Sequence, residues 1–153
     1  MTKRVFRSIF LASLAVLLAT LALILGALYT YFSDVQAEQL RLQTALVAHA
    51  LETEGVSYFD GLDTSDRRIT WIAADGTVLY DSRSDSGVME NHLEREEVKA
   101  ALATGSGTSF RYSDTLMERY IYTAQRLSDG TVLRLSAAQN TVPHLVLGVV
   151  KPI

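Results

Sequence analysis

Side chains able to perform acid–base or metal chemistry are concentrated between residues 81 and 92. Ser82, His92 and Asp81 have the residue types of a nucleophile, a base and an orienting acid, but the sequence around Ser82 has no nucleophile elbow. Four side chains offer the oxygen and imidazole ligands that suit zinc or calcium: Asp81, Asp85, Glu90 and His92. Their spacing matches no known metal-binding loop. The sequence therefore favours a solvated polar loop here, with no catalytic residue and no bound metal.

The composition excludes several classes of protein. The chain has 153 residues, which is enough for one ordinary domain and a short extension. It has no cysteine, which excludes a disulfide framework, a thiolate metal site and a cysteine nucleophile. The net charge is -3, so we expect no nucleic-acid partner held by bulk positive charge. Since 48% of the residues are hydrophobic and 20% are charged, the chain is expected to fold.

A long apolar run begins near the N-terminus. No charged residue occurs between Ser8 and Ser33, and roughly 20 apolar residues in a helix suffice to cross a bilayer. Tyr29, Tyr31 and Phe32 lie at the far end of the run, where an aromatic belt would be placed. The alternative is a cleaved signal peptide, whose apolar region would be shorter, about 7–15 residues. We therefore predict a retained transmembrane helix at residues 9–32, in contact with membrane lipid.

The charges beside this run predict its orientation. Lys3, Arg4 and Arg7 precede it, and Asp34 follows it. By the positive-inside rule, residues 1–8 are expected in the cytoplasm and the rest of the chain outside. The predicted location is the cell (plasma) membrane, with an extracytoplasmic domain at residues 33–137.

Residues 34–54 have the pattern of a helix that starts at Ser33 or Asp34 and ends at Gly55. Two apolar stripes follow from a turn of 100° per residue. One stripe contains Leu40, Thr44, Val47 and Leu51, and the other contains Val35, Leu42, Leu46 and His49. Two stripes indicate two partners, the sheet of the same chain and a second copy of it. Val35, Leu42 and Leu46 are the candidate dimer stripe; the alternative is one wide buried face in a monomer, and His49 is expected to be packed.

Alternating residues predict strands after a turn-rich segment. Arg68 to Ala74 and Thr77 to Asp81 flank Asp75-Gly76, a strong hairpin signal. A two-residue turn would place Trp71 opposite Tyr80, Ala73 opposite Val78 and Ile72 opposite Leu79. The five letters DGTVL occur again at residues 129–133, which predicts a second hairpin of the same kind.

The remaining elements complete a mixed fold. A short helix is expected at about Arg95 to Ala103, ended by Gly105. Strands are expected at Thr108–Ser113, Arg119–Leu127 and Thr131–Ser136. The predicted class is α+β, with a long N-terminal helix and a five-stranded antiparallel sheet of PAS-like order. Residues 138–153 are predicted to start a second, truncated transmembrane segment; the alternative is a short segment lying against the domain or the membrane.

Three segments resemble the extracytoplasmic sensor of membrane histidine kinases. They are RITWIAADGTVLYDSRSD, MENHLEREEVKAALATGSG and SFRYSDTLMERYIYTAQRLSDGTVLRLS. The similarity is greatest to the PhoR-type and WalK-type sensors of two-component systems. The resemblance implies a single PAS-like Cache (PDC) sensor, a homodimer, and a cytoplasmic kinase core that would use ATP and phosphorylate a response regulator. This chain contains no such core, hence no cofactor of its own is expected.

The resemblance also implies a pocket between the sheet and the loop after the second strand. Its candidate lining residues are Tyr80, Arg83, His92, Arg111 and Tyr122. Arginine and tyrosine together suit a small acidic ligand, whereas structural tyrosines and surface arginines are the alternative. Two other functions fit the same fold: the Cache sensor of a chemoreceptor or diguanylate cyclase, and a stand-alone membrane-anchored binding protein.

Overall fold

The computed structural model describes residues 2–113 and 118–139. The chain divides into two compact units, Met1–Val35 and Gln36–Ile153. The helices and strands are α1 (Thr2–Glu54), β1 (Arg67–Ile72), β2 (Val78–Asp81), α2 (Glu96–Thr104), β3 (Ser106–Ser113), β4 (Glu118–Arg126) and β5 (Val132–Ala138). Short 3-10 helices occupy Val56–Gly61 and Ser86–Val88. The predicted class, helices with a five-stranded antiparallel sheet, is confirmed.

The first unit consists of the apolar part of α1. This helix is long and apolar enough to cross a membrane by its length and composition. Its large side chains are exposed, as Leu17 and Leu23 illustrate at 64% and 76%. Exposed apolar side chains of this kind suit a hydrocarbon environment. The α1 assignment is unbroken from Thr2 to Glu54, so the prediction that Ser33 or Asp34 starts a new helix is wrong.

The sheet of the second unit has the strand order β2-β1-β5-β4-β3, with every neighbouring pair antiparallel. Strand β5 is therefore the central strand. It pairs with β1 from Val132 to Ala137 and with β4 from Val132 to Ala138. Residues 138–153 are predicted to start a second membrane span. Of these, residues 140–153 lie outside the described part of the chain.

The first hairpin confirms one predicted pair and corrects the other two, Ala73 with Val78 and Ile72 with Leu79. Trp71 is opposite Tyr80 as predicted, but Ile72 is opposite Val78 rather than Leu79. The loop has three residues, not two: the Ala73 N–H donates to the Thr77 carbonyl oxygen at 2.8 Å, and the Gly76 N–H donates to the Ala73 carbonyl oxygen at 2.9 Å. Gly76 has φ +87°, which a three-residue loop with a bulge needs at its last position. The extra residue shifts the register on one side of Trp71.

The DGTVL repeat folds into the same turn twice. In the second hairpin the Leu127 N–H donates to the Thr131 carbonyl oxygen at 2.8 Å, and Gly130 has φ +85°. In both turns the aspartate, Asp75 or Asp129, accepts a hydrogen bond at 2.9 Å from the backbone N–H two residues later. The prediction that both DGTVL segments form the same kind of hairpin is confirmed, but each loop has three residues rather than two.

The sheet carries a separate apolar cluster on each face. On one face, the buried stripe of α1 contacts β1, β4 and β5 through Leu40, Val47, Leu51, Leu133 and Leu135. On the other face, α2 contributes Val98 and Ala101, which pack with Ile72, Ala124 and Val132. Strand residues alternate between the faces, so both sides of the sheet are covered. The stripe of Leu40, Thr44, Val47 and Leu51 is buried, as predicted for the sheet-facing side of the helix.

Two glycines set the position of α2. Gly105 has φ +96° and ends the helix, as predicted, with its N–H donating to the Ala101 carbonyl oxygen at 2.8 Å. Gly107 lies on β3 where α2 passes close. A Cβ at this position would lie 2.8 Å from the Cβ of Ala100 and closer still to the carbonyl oxygen of Glu97. The lack of a side chain at Gly107 therefore allows α2 to approach the sheet.

Candidate functional site

Polar residues replace apolar ones on part of the sheet face that α2 covers. The antiparallel register aligns Thr70 of β1 with Arg134 of β5, and Arg134 with Ala124 of β4. Ser109 of β3 is opposite Tyr122 of β4. Because strand residues two apart share a face, Arg68 and Arg111 lie on this face too. Four strands thus contribute to one polar surface beside α2.

Glu97 of α2 is the acidic centre of this surface. Its side chain is fully buried, and it accepts hydrogen bonds from Ser109 Oγ at 2.6 Å, from Arg111 and from Arg134 at 3.4 Å. Burial alone would raise the pKa of Glu97, but the Ser109 hydrogen bond and the two arginines hold it below its usual value. One buried carboxylate is therefore shared by two guanidinium groups.

A second ion pair lies at the other edge of the surface. Arg68 Nε donates to both carboxylate oxygens of Asp81, at 3.0 and 2.9 Å. Thr70 Oγ1 donates to Asp81 at 2.8 Å and accepts from Arg134 Nη2 at 3.1 Å. Although burial would raise the pKa of Asp81, these hydrogen bonds lower it. Thr70 thereby connects the Asp81 pair to Arg134.

His92 closes the surface from the loop that precedes α2. Its backbone N–H donates to the Gly76 carbonyl oxygen at 2.8 Å, so the first hairpin turn fixes its position. The side chain is only 4% exposed. Burial, followed by the positive charges of Arg134, Arg95 and Arg68, lowers the pKa of His92 from 6.5 to about 4. The imidazole is therefore neutral near pH 7.

A pocket of about 270 Å³ opens to solvent beside these residues. Its walls are Arg68, Met89, Glu90, His92, Arg95, Arg111, Tyr122 and Arg134. The Tyr122 ring lies below two guanidinium groups, with the Arg111 Cζ 3.9 Å and the Arg134 Cζ 5.6 Å from its centroid. Within the described part of the chain, three buried nitrogens have no hydrogen-bond partner: His92 Nδ1, Arg111 Nε and Arg134 Nε. The pocket is thus rich in positive charge, and these three nitrogens are buried beneath its surface.

The structure brings together three of the five residues predicted for the pocket, His92, Arg111 and Tyr122. Tyr80 is on the opposite face of the sheet, where its ring stacks on Phe59 with centroids 4.5 Å apart. Arg83 donates from Nη2 to the Ser65 carbonyl oxygen at 3.1 Å and lies away from this pocket.

Sequence reasoning missed Arg68, Arg95, Arg134 and Glu97. The sequence contained a signal for Arg134, because this residue interrupts an apolar strand. An arginine is buried in a strand only where a partner compensates its charge, so a buried partner could have been expected. Glu97 also shares the buried face of α2 with Val98 and Ala101, but its burial depends on where α2 lies.

The triad drawn from Ser82, His92 and Asp81 does not assemble. Ser82 Oγ accepts a hydrogen bond from the Ile69 N–H at 3.0 Å, and Asp81 is held by Arg68 and Thr70. In the described ranges, no group of three or more His, Asp or Glu side chains is placed to hold a metal ion. Asp85 instead accepts from the Gly87 N–H at 3.0 Å.

A larger open groove of about 680 Å³ lies beside the first turns of α1 in the second unit. Arg67 spans it, with Nη1 donating to Gln43 Oε1 at 2.8 Å and Nε donating to Asp66 at 3.1 Å. Arg83 and Tyr120 line its wall. Arg67 and Asp66 of this groove form an ion pair with each other.

The candidate dimer stripe is partly open to its surroundings. Leu42 and Leu46 are 50% and 71% exposed, and Val35 is half-buried. His49, expected to be packed, is exposed, because its position on α1 faces away from the sheet.

No protein-family model matches this sequence, and no curated protein matches it. Several solved structures are similar over part of the chain, and two of them are described here. One is the extracellular domain of a protein described as a histidine kinase, rpHK1S-Z16, with a TM-score of 0.43 and 14% identity over 57% of this chain and 37% of that one. The other is the Bacillus subtilis YkuI protein, which has an EAL domain and was solved with c-di-GMP and calcium; its TM-score is 0.43, with 10% identity over 73% of this chain and 36% of that one. Similarity at this level carries no inference about function.

Proposed function

We propose that this chain is the signal-input part of a membrane-bound sensor histidine kinase of the PhoR or WalK type, with a PAS-like Cache domain outside the plasma membrane. The resemblance of its three sequence segments supports the family. The charge-free run of α1 supports the membrane anchor, and the three basic residues before it support a cytoplasmic N-terminus. The sheet order β2-β1-β5-β4-β3 is the order expected of a PAS-like domain.

The observation that carries the proposal is the double contact of strand β5. Leu133 and Leu135 pack in the cluster that contains α1, whereas Arg134 between them lies in the polar pocket on the other face. A change at the pocket therefore reaches the α1 side of the sheet through adjacent residues of one strand. The same α1 contains the apolar run. This connectivity is what a receptor needs if occupancy of a site is to alter a membrane helix.

The proposed mechanism is a shift between two packings of α1 on the sheet. Such a shift requires two arrangements of similar free energy, one of which the stimulus favours. A homodimer through Val35, Leu42 and Leu46 would let the shift change the relation between two helices. The output would come from a kinase core outside this chain, which would bind ATP and transfer phosphate to a response regulator.

A chimaeric receptor tests the signal-input role. The 153-residue chain is joined to the second membrane helix and the cytoplasmic part of a histidine kinase with a measurable reporter, in a series that adds one alanine at a time. Each alanine rotates the junction by about 100°, so some members are expected to couple. In those members Leu135→Ala and Arg134→Gln should change reporter output, whereas the exposed control Arg41→Gln should not. If no member of the series responds to either variant, the signal-input proposal fails.

The alternative functions predict different activities, which can be assayed in the whole protein as the cell produces it. The histidine kinase proposal predicts ATP-dependent autophosphorylation on histidine. A chemoreceptor would show no such activity, and a diguanylate cyclase would form cyclic di-GMP from GTP. A stand-alone membrane-anchored binding protein would show neither activity and would bind its partner unaided.

A further inference from the structure

We propose that Met89 is a site of reversible oxidation, and that the oxygen of its sulfoxide accepts a hydrogen bond from Arg68. The inference goes beyond the proposed signal-input function: the modification can be measured in the chain itself, and only its role as a stimulus rests on that function. It depends on three features: the sulfur content of the chain, the access of solvent to Met89, and the guanidinium beside its sulfur.

Sulfur chemistry in this chain is confined to methionine. The sequence has no cysteine and three methionines, Met1, Met89 and Met117. Thiolates are the usual first target of an oxidant, so their absence leaves the polarisable thioethers as the softest nucleophiles of the chain. Met89 is the methionine that lies within the described residues.

Solvent reaches Met89 although its side chain is partly covered. The residue follows the short 3-10 helix Ser86–Val88, and both Val88 and Glu90 beside it are exposed. Its side chain lines the pocket of about 270 Å³ that opens to solvent, many times the roughly 30 Å³ that a water molecule occupies. A dissolved molecule as small as hydrogen peroxide can therefore contact the sulfur while the loop stays folded.

Arg68 holds a hydrogen-bond donor beside the sulfur. The distance from Arg68 Nη2 to Met89 Sδ is 3.9 Å. Nε of the same guanidinium donates to both carboxylate oxygens of Asp81, at 3.0 and 2.9 Å, which fixes the group in position. Nη2 carries two hydrogens, and one of them is accepted by Ser84 Oγ at 3.2 Å. The other has the Met89 thioether as its neighbour, which is a weak acceptor.

Oxidation would replace this weak acceptor with a strong one. A lone pair of the sulfur attacks one oxygen of hydrogen peroxide, the O–O bond breaks as the S–O bond forms, and hydroxide leaves. The oxygen bound to sulfur gives its proton to that hydroxide, so the products are one sulfoxide and one water. The sulfur loses two electrons, and the peroxide gains them. The polar sulfoxide oxygen would then accept the second Nη2 hydrogen of Arg68 in a charge-assisted bond.

The change is reversible and is connected to the centre of the sheet. A sulfoxide reductase restores the thioether, because a dithiol is oxidised to a disulfide while the sulfoxide oxygen leaves as water. Arg68 pairs with Asp81, which accepts from Thr70 Oγ1 at 2.8 Å. Thr70 Oγ1 in turn accepts from Arg134 Nη2 at 3.1 Å. The oxidation state of Met89 would therefore act on a network that ends at β5.

Peptide mass spectrometry of the full chain in nanodiscs tests the site. The chain is treated with hydrogen peroxide near neutral pH, together with N-acetylmethionine amide as an internal standard. We expect Met89 to gain one oxygen no more than about threefold more slowly than the standard, because the pocket leaves its sulfur accessible. If Met89 stays reduced after the standard has been fully oxidised, the proposal is overturned.

The stereochemistry of the product tests the contact with Arg68. A methionine sulfoxide has two epimers, each reduced by its own enzyme, so digestion with the two reductases in turn gives their ratio. The standard should form both epimers about equally. A donor fixed on one side of the sulfur should favour one epimer of Met89 by about threefold or more, the factor expected of one net hydrogen bond. Equal epimers at Met89 would overturn the proposal, and this measurement uses the unaltered chain.

Three variants assign the epimer preference to one guanidinium. Arg68→Lys keeps a positive charge for the buried Asp81 but has a single nitrogen, so its epimers should approach equal amounts. Ser84→Ala removes the other acceptor of Nη2 and should keep the preference of the parent. Arg41→Lys, at an exposed ion pair, is the matched control and should keep it too. An unchanged preference in Arg68→Lys would overturn the role of Arg68.

The role of oxidation as a stimulus is tested in the coupled chimaeras. Hydrogen peroxide should change the reporter output of the parent, whereas Met89→Leu keeps the apolar volume, forms no sulfoxide and should not respond. If Met89 is oxidised as expected and no chimaera responds to Leu135→Ala, the oxidation site stands and the signal-input function is wrong. If the chimaeras respond to Leu135→Ala and Met89 resists oxidation, the signal-input function stands and the oxidation site is wrong.

Discussion

Thr44 of α1 and Thr123 of β4 are hydrogen-bonded to each other through their hydroxyl groups, and both side chains are buried. Thr44 Oγ1 also donates to the Leu40 carbonyl oxygen at 2.7 Å. Thr123 Oγ1 also lies 3.5 Å from the Leu40 carbonyl oxygen, so both hydroxyls converge on that carbonyl. This pair is a directional contact inside the apolar cluster between α1 and the sheet. Apolar contacts tolerate sliding of a helix on a sheet, whereas a buried hydrogen bond favours one position.

Valine in place of either threonine should therefore weaken the packing of α1. We expect Thr123→Val and Thr44→Val each to lower the free energy of unfolding by about 0.5–1.5 kcal/mol, and the double variant to cost less than the sum. Denaturant unfolding of the full chain in micelles measures the three values. Strict additivity in the double variant would mean that the two hydroxyls do not interact.

Gly107→Ala should push α2 away from the sheet, because the new methyl group would overlap the Ala100 side chain and the Glu97 backbone. A loss of about 1–3 kcal/mol in the free energy of unfolding is expected from such overpacking. Gly61→Ala is the control, since nothing lies within 4 Å of a Cβ at that position. Thermal unfolding of both variants gives the comparison, and equal melting temperatures would contradict the close approach of α2 to β3.

The neutral state of His92 predicts a dependence of stability on pH. The folded protein protonates this imidazole near a pKa of about 4, whereas the ordinary value is 6.5. The unfolded chain thus binds more protons between these values, so stability is complete above pH 6.5 and falls as the pH is lowered toward 4. The loss amounts to at most about 3 kcal/mol. The lowered pKa values of Asp81 and Glu97 make stability fall only at lower pH, below the ordinary pKa values of 3.8 and 4.5 at which these carboxylates protonate in the unfolded chain.

Two histidine variants isolate this contribution. Denaturant midpoints at about pH 5 and about pH 7 should differ clearly for the parent chain and little for His92→Gln. The exposed His49 supplies the control, because His49→Gln should keep the pH dependence of the parent. The same slope in His92→Gln as in the parent would show that another group is responsible.

Cysteine crosslinking tests the dimer stripe. The native chain has no cysteine, so single substitutions have no background. Cysteines at Val35, Leu42 and Leu46 should form disulfide-linked dimers in membranes. Those at Leu40, Val47 and Leu51 should not, because these side chains are buried against the sheet. Equal and weak crosslinking at all six positions would remove the support for a dimer through α1.

The sequence predicted the elements of the fold better than the details that depend on their docking. Alternation located β1 and β2 and paired Trp71 with Tyr80, because side-chain period and turn position are local properties. The glycine of each DGTVL turn indicated a positive φ, but two-residue and three-residue loops both use one, so the pairing of Val78 was wrong.

The candidate site shows the same limit. Tyr80 shares a face with Trp71, and the face that holds Arg111 and Tyr122 is the opposite one; only the register across all five strands reveals this. The pairing of Arg134 with Glu97 joins residues 37 positions apart on a strand and a helix. No local pattern predicts that contact, because it depends on α2 crossing the sheet at Gly107.

The central place of β5 has a mechanical consequence. This strand is hydrogen-bonded along both edges, to β1 over six residue pairs and to β4 over seven. In antiparallel pairs these bonds lie across the strand direction, so tension applied along β5 from its C-terminal end would load both rows in shear, all bonds sharing the force. Such a strand resists stretching, unlike an edge strand that peels away bond by bond. The domain would therefore act as a stiff link that passes a pull on to the helix packed beneath it.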